Sequence, residues 1–247
     1  MEHDDRPPVA TFYTRTPFNV GAVVTLGESQ AHHARVKRLE RGDVVRLTSG
    51  DGWLAAGSIG ELRKSELDVE VSDARQVAAP RAVHLRVPIG DRERMLWLAE
   101  KATELGVASW QAVRFRRSAS VSPRGEGPAF VEKVRARMVS ALEQSGGAWL
   151  PTLLPDSDAD HVDVGTDHSL ILLDVHGQPL ANALALDANR DPVILFGPEG
   201  GLDASELDSL RAAGFVAARL GPTTLRFETA GIAAVAVARA IFTPMES

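Results

Sequence analysis

From residue 83 onward, short apolar runs alternate with helical segments, and this order limits the fold more than any other feature of the chain. Runs at 83–88, 110–115, 169–173, 193–196 and 215–220 are rich in β-branched and large apolar residues and predict strands. Between them the pattern predicts helices over 92–105, 128–144, 203–213 and 229–242, joined by a loop at 116–127. The boundaries carry their own chemistry. Gly106 ends the first helix, Pro128 opens the second and Gly146-Gly147 closes it. Asp203-Ala-Ser-Glu206 reads as a capping box with Asp203 as N-cap, and that helix stops at Gly214. The final helix is rich in Ala and Gly, which permits close packing. Strands and helices in this alternation predict an α/β fold with a parallel sheet covered on both faces.

Two of these strands run abruptly into Gly-Pro. One stretch is Val-Ile-Leu-Phe-Gly-Pro-Glu-Gly-Gly at 193–201, and the other is Leu-Gly-Pro-Thr-Thr-Leu-Arg-Phe-Glu-Thr at 220–229. In open α/β sheets ligands sit at the carboxyl ends of strands, and glycine lets main-chain groups approach them closely. Each loop reads equally as a turn into the next helix or as half of a binding site. Neither is a P-loop, a Gly-x-Gly-x-x-Gly fingerprint or a Gly-x-Ser-x-Gly elbow. A ligand held by main-chain groups, without a lysine or phosphate motif, is neutral or cationic, which is consistent with S-adenosylmethionine. The seven histidines show no metal-ligand spacing, so no metal is expected. His32 and His33 are adjacent and diverge on a helix, and His176 reads as a solvated loop residue.

Residues 9–75 have a different character. Short β-type runs at 12–14, 22–26, 44–48, 53–59 and 67–71 are interrupted by one helical piece at 28–38, and Ser49-Gly50-Asp51-Gly52 signals a hairpin turn. A small barrel-like module fits, with a linker at 76–81. The chain has no cysteine, which excludes disulfides and thiolate chemistry. No apolar run approaches bilayer length and no signal-peptide core is present, so the expectation is a cytoplasmic protein without membrane contact. The net charge of −6 argues against a polyanion partner, yet its distribution argues for one. Residues 81–137 hold twelve Lys/Arg against six Asp/Glu, while 138–247 hold five against fifteen.

The paired Gly-Pro stretches, Phe196-Gly-Pro-Glu-Gly-Gly-Leu202 and Leu220-Gly-Pro-Thr-Thr-Leu-Arg-Phe-Glu-Thr-Ala230, resemble those of the SPOUT methyltransferases. More narrowly, they resemble the RsmE family of small-subunit ribosomal RNA uridine N3-methyltransferases. Glu100-Lys-Ala-Thr-Glu-Leu-Gly106, Glu143-Gln-Ser-Gly146 and His33-Ala-Arg-Val-Lys-Arg-Leu-Glu-Arg-Gly-Asp43 match in order. The resemblance implies a PUA-like β-barrel over 1–76 that binds RNA. It implies a SPOUT domain over 82–247, a trefoil-knotted parallel sheet with helices on both faces, assembled as a homodimer with the site completed across the interface. It also implies S-adenosylmethionine as cofactor. The cofactor residues it implies are Leu173 and Asp174; Phe196, Gly197, Pro198, Glu199, Gly200 and Gly201; and Leu220, Gly221, Thr223, Leu225 and Arg226. One departure stands out: the family commonly has Thr where this chain has Phe227, so no role of that hydroxyl carries over.

Methylating uridine N3 requires loss of its proton. That proton ionises roughly two units above neutral pH, so the anion costs about 3 kcal/mol. One positioned charge offsets that, and Arg226 is the expected donor to the charge growing on the uracil oxygens. A structural ion pair is the competing reading for Arg226. Glu228 is a candidate base, or the carboxylate of the last helix's first turn. Arg35, Lys37 and Arg38, with Arg92, Arg94, Arg116 and Arg117, are the expected contacts to ribosomal RNA phosphates. The alternatives are a ribose 2′-O-methyltransferase of the same fold, or an RNA-binding module without catalysis.

Overall fold

The computed structural model describes residues 7–120, 125–162, 164–165 and 167–242. By compactness the chain divides into two units: residues up to 79 with 139–150, and residues 80–138 with 151 onward. Of the loop expected at 116–127, residues 121–124 lie outside the described residues, and 116–120 form a 3-10 turn.

The first unit holds β1 (Thr11–Tyr13), β2 (Val23–Leu26), α1 (Glu28–Val36), β3 (Val44–Thr48), β4 (Trp53–Leu62) and β5 (Leu67–Gln76). They make a five-stranded mixed sheet in the order β1-β3-β4-β5-β2. β1 runs parallel to β3 and the other neighbours are antiparallel. Alternate residues turn inward, as the strand period requires, and Phe12, Leu47, Leu67 and Val69 are fully buried. A bulge at Ala56/Gly57 bends β4. A Cβ on Gly57 would stand 2.5 Å from the Glu70 carbonyl oxygen, so only glycine fits.

Residues 139–150, which the strand–helix pattern assigns to the second segment, pack with this first sheet. The Tyr13 N–H donates to Glu143 Oε1 at 2.8 Å, and the Thr48 hydroxyl donates to the Gly147 carbonyl at 2.8 Å. Burial pushes the Glu143 carboxyl above its usual range, with the Tyr13 N–H pulling the other way.

The second unit holds β6 (His84–Pro88), α2 (Arg92–Glu104), β7 (Ser109–Arg114), most of α3 (Pro128–Ser145), β8 (Thr152–Leu153), β9 (Ser157–Asp158), β10 (His168–Pro179), α4 (Leu180–Leu186), β11 (Asp191–Phe196), α5 (Ala204–Ala212), β12 (Val216–Arg219) and α6 (Phe227–Phe242). The sheet order is β12-β10-β11-β6-β7-β8, with β9 also on β7, and every pair is parallel. The central strands β6 and β11 are buried almost throughout, which agrees with cover on both faces. Val193 and Leu195 pack with Leu210 of α5 on one face. On the other, Phe196 meets Gly231 of α6, where a Cβ would lie 2.9 Å from both Phe196 and Leu98 of α2. The small residues of α6 thus let its backbone settle onto β11 and α2. Arg239 of α6 donates to the carbonyls of Leu105 at 2.8 Å and of Gly106 and Arg81, closing the end of α2.

The structure differs from the sequence expectation at several elements, among them β10, which runs to Pro179 where a strand over 169–173 is expected. β8, β9 and α4 were not foreseen: the first two are two residues long, and α4 is only seven. α6 starts two residues earlier than expected, at Phe227, so Glu228 lies within its first turn.

Candidate active site

β12, β10 and β11 are neighbours, and their carboxyl ends come level: Leu173 pairs with Phe196 on one side and with Ala218 on the other. Beyond Leu173 the β10–β12 ladder breaks and resumes only at Gln178. Residues 174–177 therefore bulge out of the sheet at the mouth of the site. The bulge is held by the Arg219 guanidinium on the Gly177 carbonyl at 2.6 Å. Inside the bulge, the His176 N–H donates to Asp174 Oδ1 at 2.8 Å. Gly177 has no room for a side chain, since a Cβ would collide with the β12 backbone.

The first Gly-Pro loop follows β11. Gly201 takes a φ of +70° and its N–H closes a turn onto the Pro198 carbonyl at 2.8 Å. The loop then enters α5 through the capping box: the Glu206 N–H donates to Asp203 Oδ1 at 2.9 Å and the Asp203 N–H to Glu206 Oε2 at 3.0 Å. Glu206 is buried, and its other oxygen accepts the Arg116 N–H at 2.7 Å. The Glu206 N–H, then the Ser205 hydroxyl and Arg116, hold the Asp203 carboxyl down at about 2. Arg117 donates to the Gly200 carbonyl at 3.1 Å.

The second loop follows β12 and ends where the Ala230 N–H meets the Arg226 carbonyl at 2.9 Å, which makes Arg226 the cap of α6. Its guanidinium is 62% exposed and lies 3.5 Å from Glu199 of the first loop. Glu228 is buried. Its Oε1 is 3.8 Å from the Nε of Arg94, and its Oε2 has no partner among the described residues. Arg94, in the first turn of α2, also makes a close ion pair with Glu199.

These elements enclose a cavity of about 300 Å³, near the lower end of the roughly 300–1,000 Å³ usual for small-molecule sites. Leu173 and Asp174 line it from β10, and Phe196, Gly197, Pro198 and Gly201 from β11 and its loop. Leu220, Gly221, Thr223 and Leu225 close it from β12. Glu199 and Gly200 line a separate cleft of about 30 Å³ beside Gly90, Asp91 and Arg117. Arg226 and Glu228 line neither space.

Eight lining residues are outside the sequence expectation, among them Val175, Leu202, Leu207, Arg219 and Phe227. Val175 gives no signal in the sequence, because it borders the cavity only through the bulge and stays exposed there. Phe227 walls both spaces, with its ring over Gly90. The lining is mainly apolar side chain and loop main chain, with two charged side chains on it, the Asp174 carboxylate and the Arg219 guanidinium that is bonded to the Gly177 carbonyl. Gly221 leaves open space where a side chain would stand. That lining suits a ligand with an apolar body and polar edges that main-chain groups can meet. Among the described residues no group of His, Cys, Asp or Glu could hold a metal, and no helix is long and apolar enough to cross a membrane.

The basic residues expected to meet phosphates fall into two kinds. Lys37 and Arg38 are exposed at the end of α1, where Arg38 adopts a φ of +56°. Arg35 donates to the carbonyls of Arg63 and Lys64 at 2.9 and 2.5 Å. Arg92 lies 5.7 Å over the Phe130 ring. Arg94, Arg116 and Arg117 are bound to the first Gly-Pro loop and its helix, as above. Some of the excess cations in 81–137 are matched to the excess anions in 138–247 by ion pairs. These include Arg81–Asp191 at 3.4 Å, Arg114–Asp158 at 3.1 Å and Arg116–Asp203 at 3.0 Å.

Residues 77–239 match the RNA methyltransferase domain family. Across 91% of its length the chain is 31% identical to the ribosomal RNA small subunit methyltransferase E of Mycobacterium bovis, covering 88% of that protein. The chain belongs to the ribosomal RNA small subunit methyltransferase E family. Family members from Synechocystis and Bacillus subtilis are 27% and 26% identical over 90% and 85% of this chain, covering 74% and 86% of theirs. The family's crystal structure from Neisseria gonorrhoeae, bound to S-adenosyl methionine, shares the fold with a TM-score of 0.85 at 24% identity, covering 94% of this chain and 98% of that one. A Legionella pneumophila protein in complex with the bound cofactor SAM aligns with a TM-score of 0.77 at 25% identity, covering 93% and 96%.

Proposed function

We propose that this chain transfers a methyl group from S-adenosylmethionine to N3 of a uridine in small-subunit ribosomal RNA, acting as a homodimer. The observation that carries the reading is the cavity at the level ends of β10, β11 and β12, walled by both Gly-Pro loops, in a chain of this family. We assign the first sheet to a PUA-like, RNA-binding barrel over 1–76 and the remainder, 82–247, to a knotted SPOUT domain.

The cofactor, when bound, supplies an electrophilic methyl on a sulfonium. Leu173, Phe196, Leu220 and Leu225 would embrace its apolar parts, and the glycine loops would present main-chain groups to its polar edges. Asp174 adds a carboxylate that complements a cation. In the transfer, the N3–C bond forms as the S–C bond breaks, and the N3 proton passes to solvent. Arg226 lies at the N-terminus of α6, where the helix dipole disfavours a cation. Its exposed pair with Glu199 is worth only about 0–1 kcal/mol. Stability therefore does not account for an arginine there, whereas an anion developing on uracil O2 or O4 does. Glu228 faces neither cavity, and we assign it to holding Arg94 rather than to proton transfer.

Exposed Lys37 and Arg38 serve as phosphate contacts. Replacing either should reduce the salt slope of RNA binding by about one. The deciding experiment is nucleoside mass spectrometry of small-subunit ribosomal RNA from a strain lacking this gene. N3-methyluridine should vanish and return on complementation; loss of a 2′-O-methylated nucleoside instead would overturn the reading.

A further inference from the structure

We propose that Arg94 is a positioning residue that takes the larger share of the Glu199 carboxylate, leaving Arg226 only its long contact, and so keeps the Arg226 guanidinium available to the target base. The inference rests on the functional reading above and extends it to a residue outside both Gly-Pro loops.

One carboxylate oxygen, Glu199 Oε1, is shared by two guanidinium groups. Arg94 is in close contact with it, while Arg226 approaches no nearer than 3.5 Å. The two arginines are also mounted differently. Arg94 sits on α2, whose first turn is fixed by its own N–H on Asp91 Oδ1 at 3.0 Å and whose inner face is buried through Met95, Leu98, Ala99 and Ala102. Its side chain is 33% exposed, about half the figure for Arg226. A cation in the first turn of a helix opposes the helix dipole, so Arg94 needs carboxylates to stay there. It has two: Glu199 from the first loop, and Glu228 at 3.8 Å from the start of α6. The buried Oε2 of Glu228, without a partner among the described residues, leaves that carboxylate dependent on Arg94 for compensation.

The consequence is a competition. A single carboxylate cannot neutralise both arginines at once. With Arg94 in place, Glu199 is engaged and Arg226 keeps most of its charge for a new anion. Without Arg94, Glu199 is free to close on Arg226, which lies within reach on the facing loop. Arg94 is thus a structural partner of the loops that sets the charge available at the reacting base, and it is not itself a phosphate contact.

The test compares Arg94→Ala, Glu199→Gln and the double variant with the unaltered protein, using two readouts. The first is labelling of Arg226 by phenylglyoxal, followed by peptide mass spectrometry, which needs no substrate. Arg94→Ala should slow labelling of Arg226, and the double variant should restore it. The second is turnover on small-subunit ribosomal RNA with S-adenosylmethionine. Arg94→Ala should lower kcat by roughly 2- to 5-fold, the most that an exposed ion pair with Glu199 can withhold from Arg226, with little change in KM for RNA. The double variant should regain a large share of that loss, although it carries one more substitution. If Arg94→Ala does not fold, Arg94→Gln keeps the chain length, removes the charge and takes its place. Unchanged labelling of Arg226, or a double variant no better than Arg94→Ala, overturns the proposal. A raised KM with a smaller salt slope would return Arg94 to the phosphate contacts and overturn it equally. If the unaltered protein does not methylate the RNA at all, the functional reading fails, while the labelling still decides whether Glu199 is exchanged between the arginines.

Discussion

The Gly-Pro loop after β11 is braced from several sides, whereas the one after β12 is tied at its ends. In the first, Glu199 and Gly200 are gripped by Arg94 and Arg117, and the capping box and Arg116 fix the entry into α5. In the second, residues 222–226 are all exposed, and the ties lie at its ends: Arg219 on Gly177 at one, the α6 cap and the exposed Arg226–Glu199 pair at the other. The difference suits a division of labour. A rigid wall can be shaped in advance for a ligand, while a loosely held one can close after the ligand enters and carry a reactive side chain with it.

The sharpest break between the loops lies in what their charged residues do. Arg226→Ala should lower kcat by about 10²–10³, the usual cost of one donor to a developing anion. The melting temperature and S-adenosylmethionine affinity should stay near those of the unaltered chain. A large fall in melting temperature with intact turnover would erase the contrast. Glu206→Ala should do the reverse. It strands the half-buried N–H groups of Arg116 and Asp203, at less than the roughly 1–3 kcal/mol that a fully buried unsatisfied donor costs. Thermal unfolding should register the loss, with cofactor affinity falling as the first loop loosens.

Hydrogen exchange gives a finer comparison. Amides at 221 and 223–226 should exchange faster than those of 199–201 in the free protein, and S-adenosylmethionine should slow the former more. Equal protection in the free state would mean the second loop is as rigid as the first.

The smallest effect is in acid. Asp203 is held at about 2 against an ordinary 3.8. A depressed carboxyl contributes stability that is whole above its unfolded value and is lost as the pH falls through the folded one. Stability should therefore drop as the pH is lowered from about 3.8 toward 2, and Asp203→Asn should flatten that segment in acid titrations followed by circular dichroism.

Much of the site was legible in the residues. The capping box at Asp203–Glu206, the glycine after α2 and the strands at 193–196 and 215–220 all depend on neighbours a few positions away, so their patterns survive in the sequence. Most residues expected at a cofactor site do line one cavity, because the register that places Leu173 beside Phe196 follows from strand ends marked by glycine and proline. Other features left no local trace. The bulge at 174–177 exists because β10 and β12 resume pairing out of step, and nothing within β10 announces it. Residues 139–144 read as the end of a helix, yet 139–150 pack with the first sheet.

The charged residues show the division most clearly. By itself, the sequence determined that cations gather in 81–137 and anions in 138–247, and it placed two Gly-Pro loops at strand ends. Only the tertiary structure decided that Arg94 meets Glu199, 105 positions away, and that Arg116 meets Asp203, 87 positions away. The physical reason is range. Backbone conformation and capping are set within a turn or two of chain, while an ion pair is set by which strands lie side by side, and strand order is a property of the whole sheet.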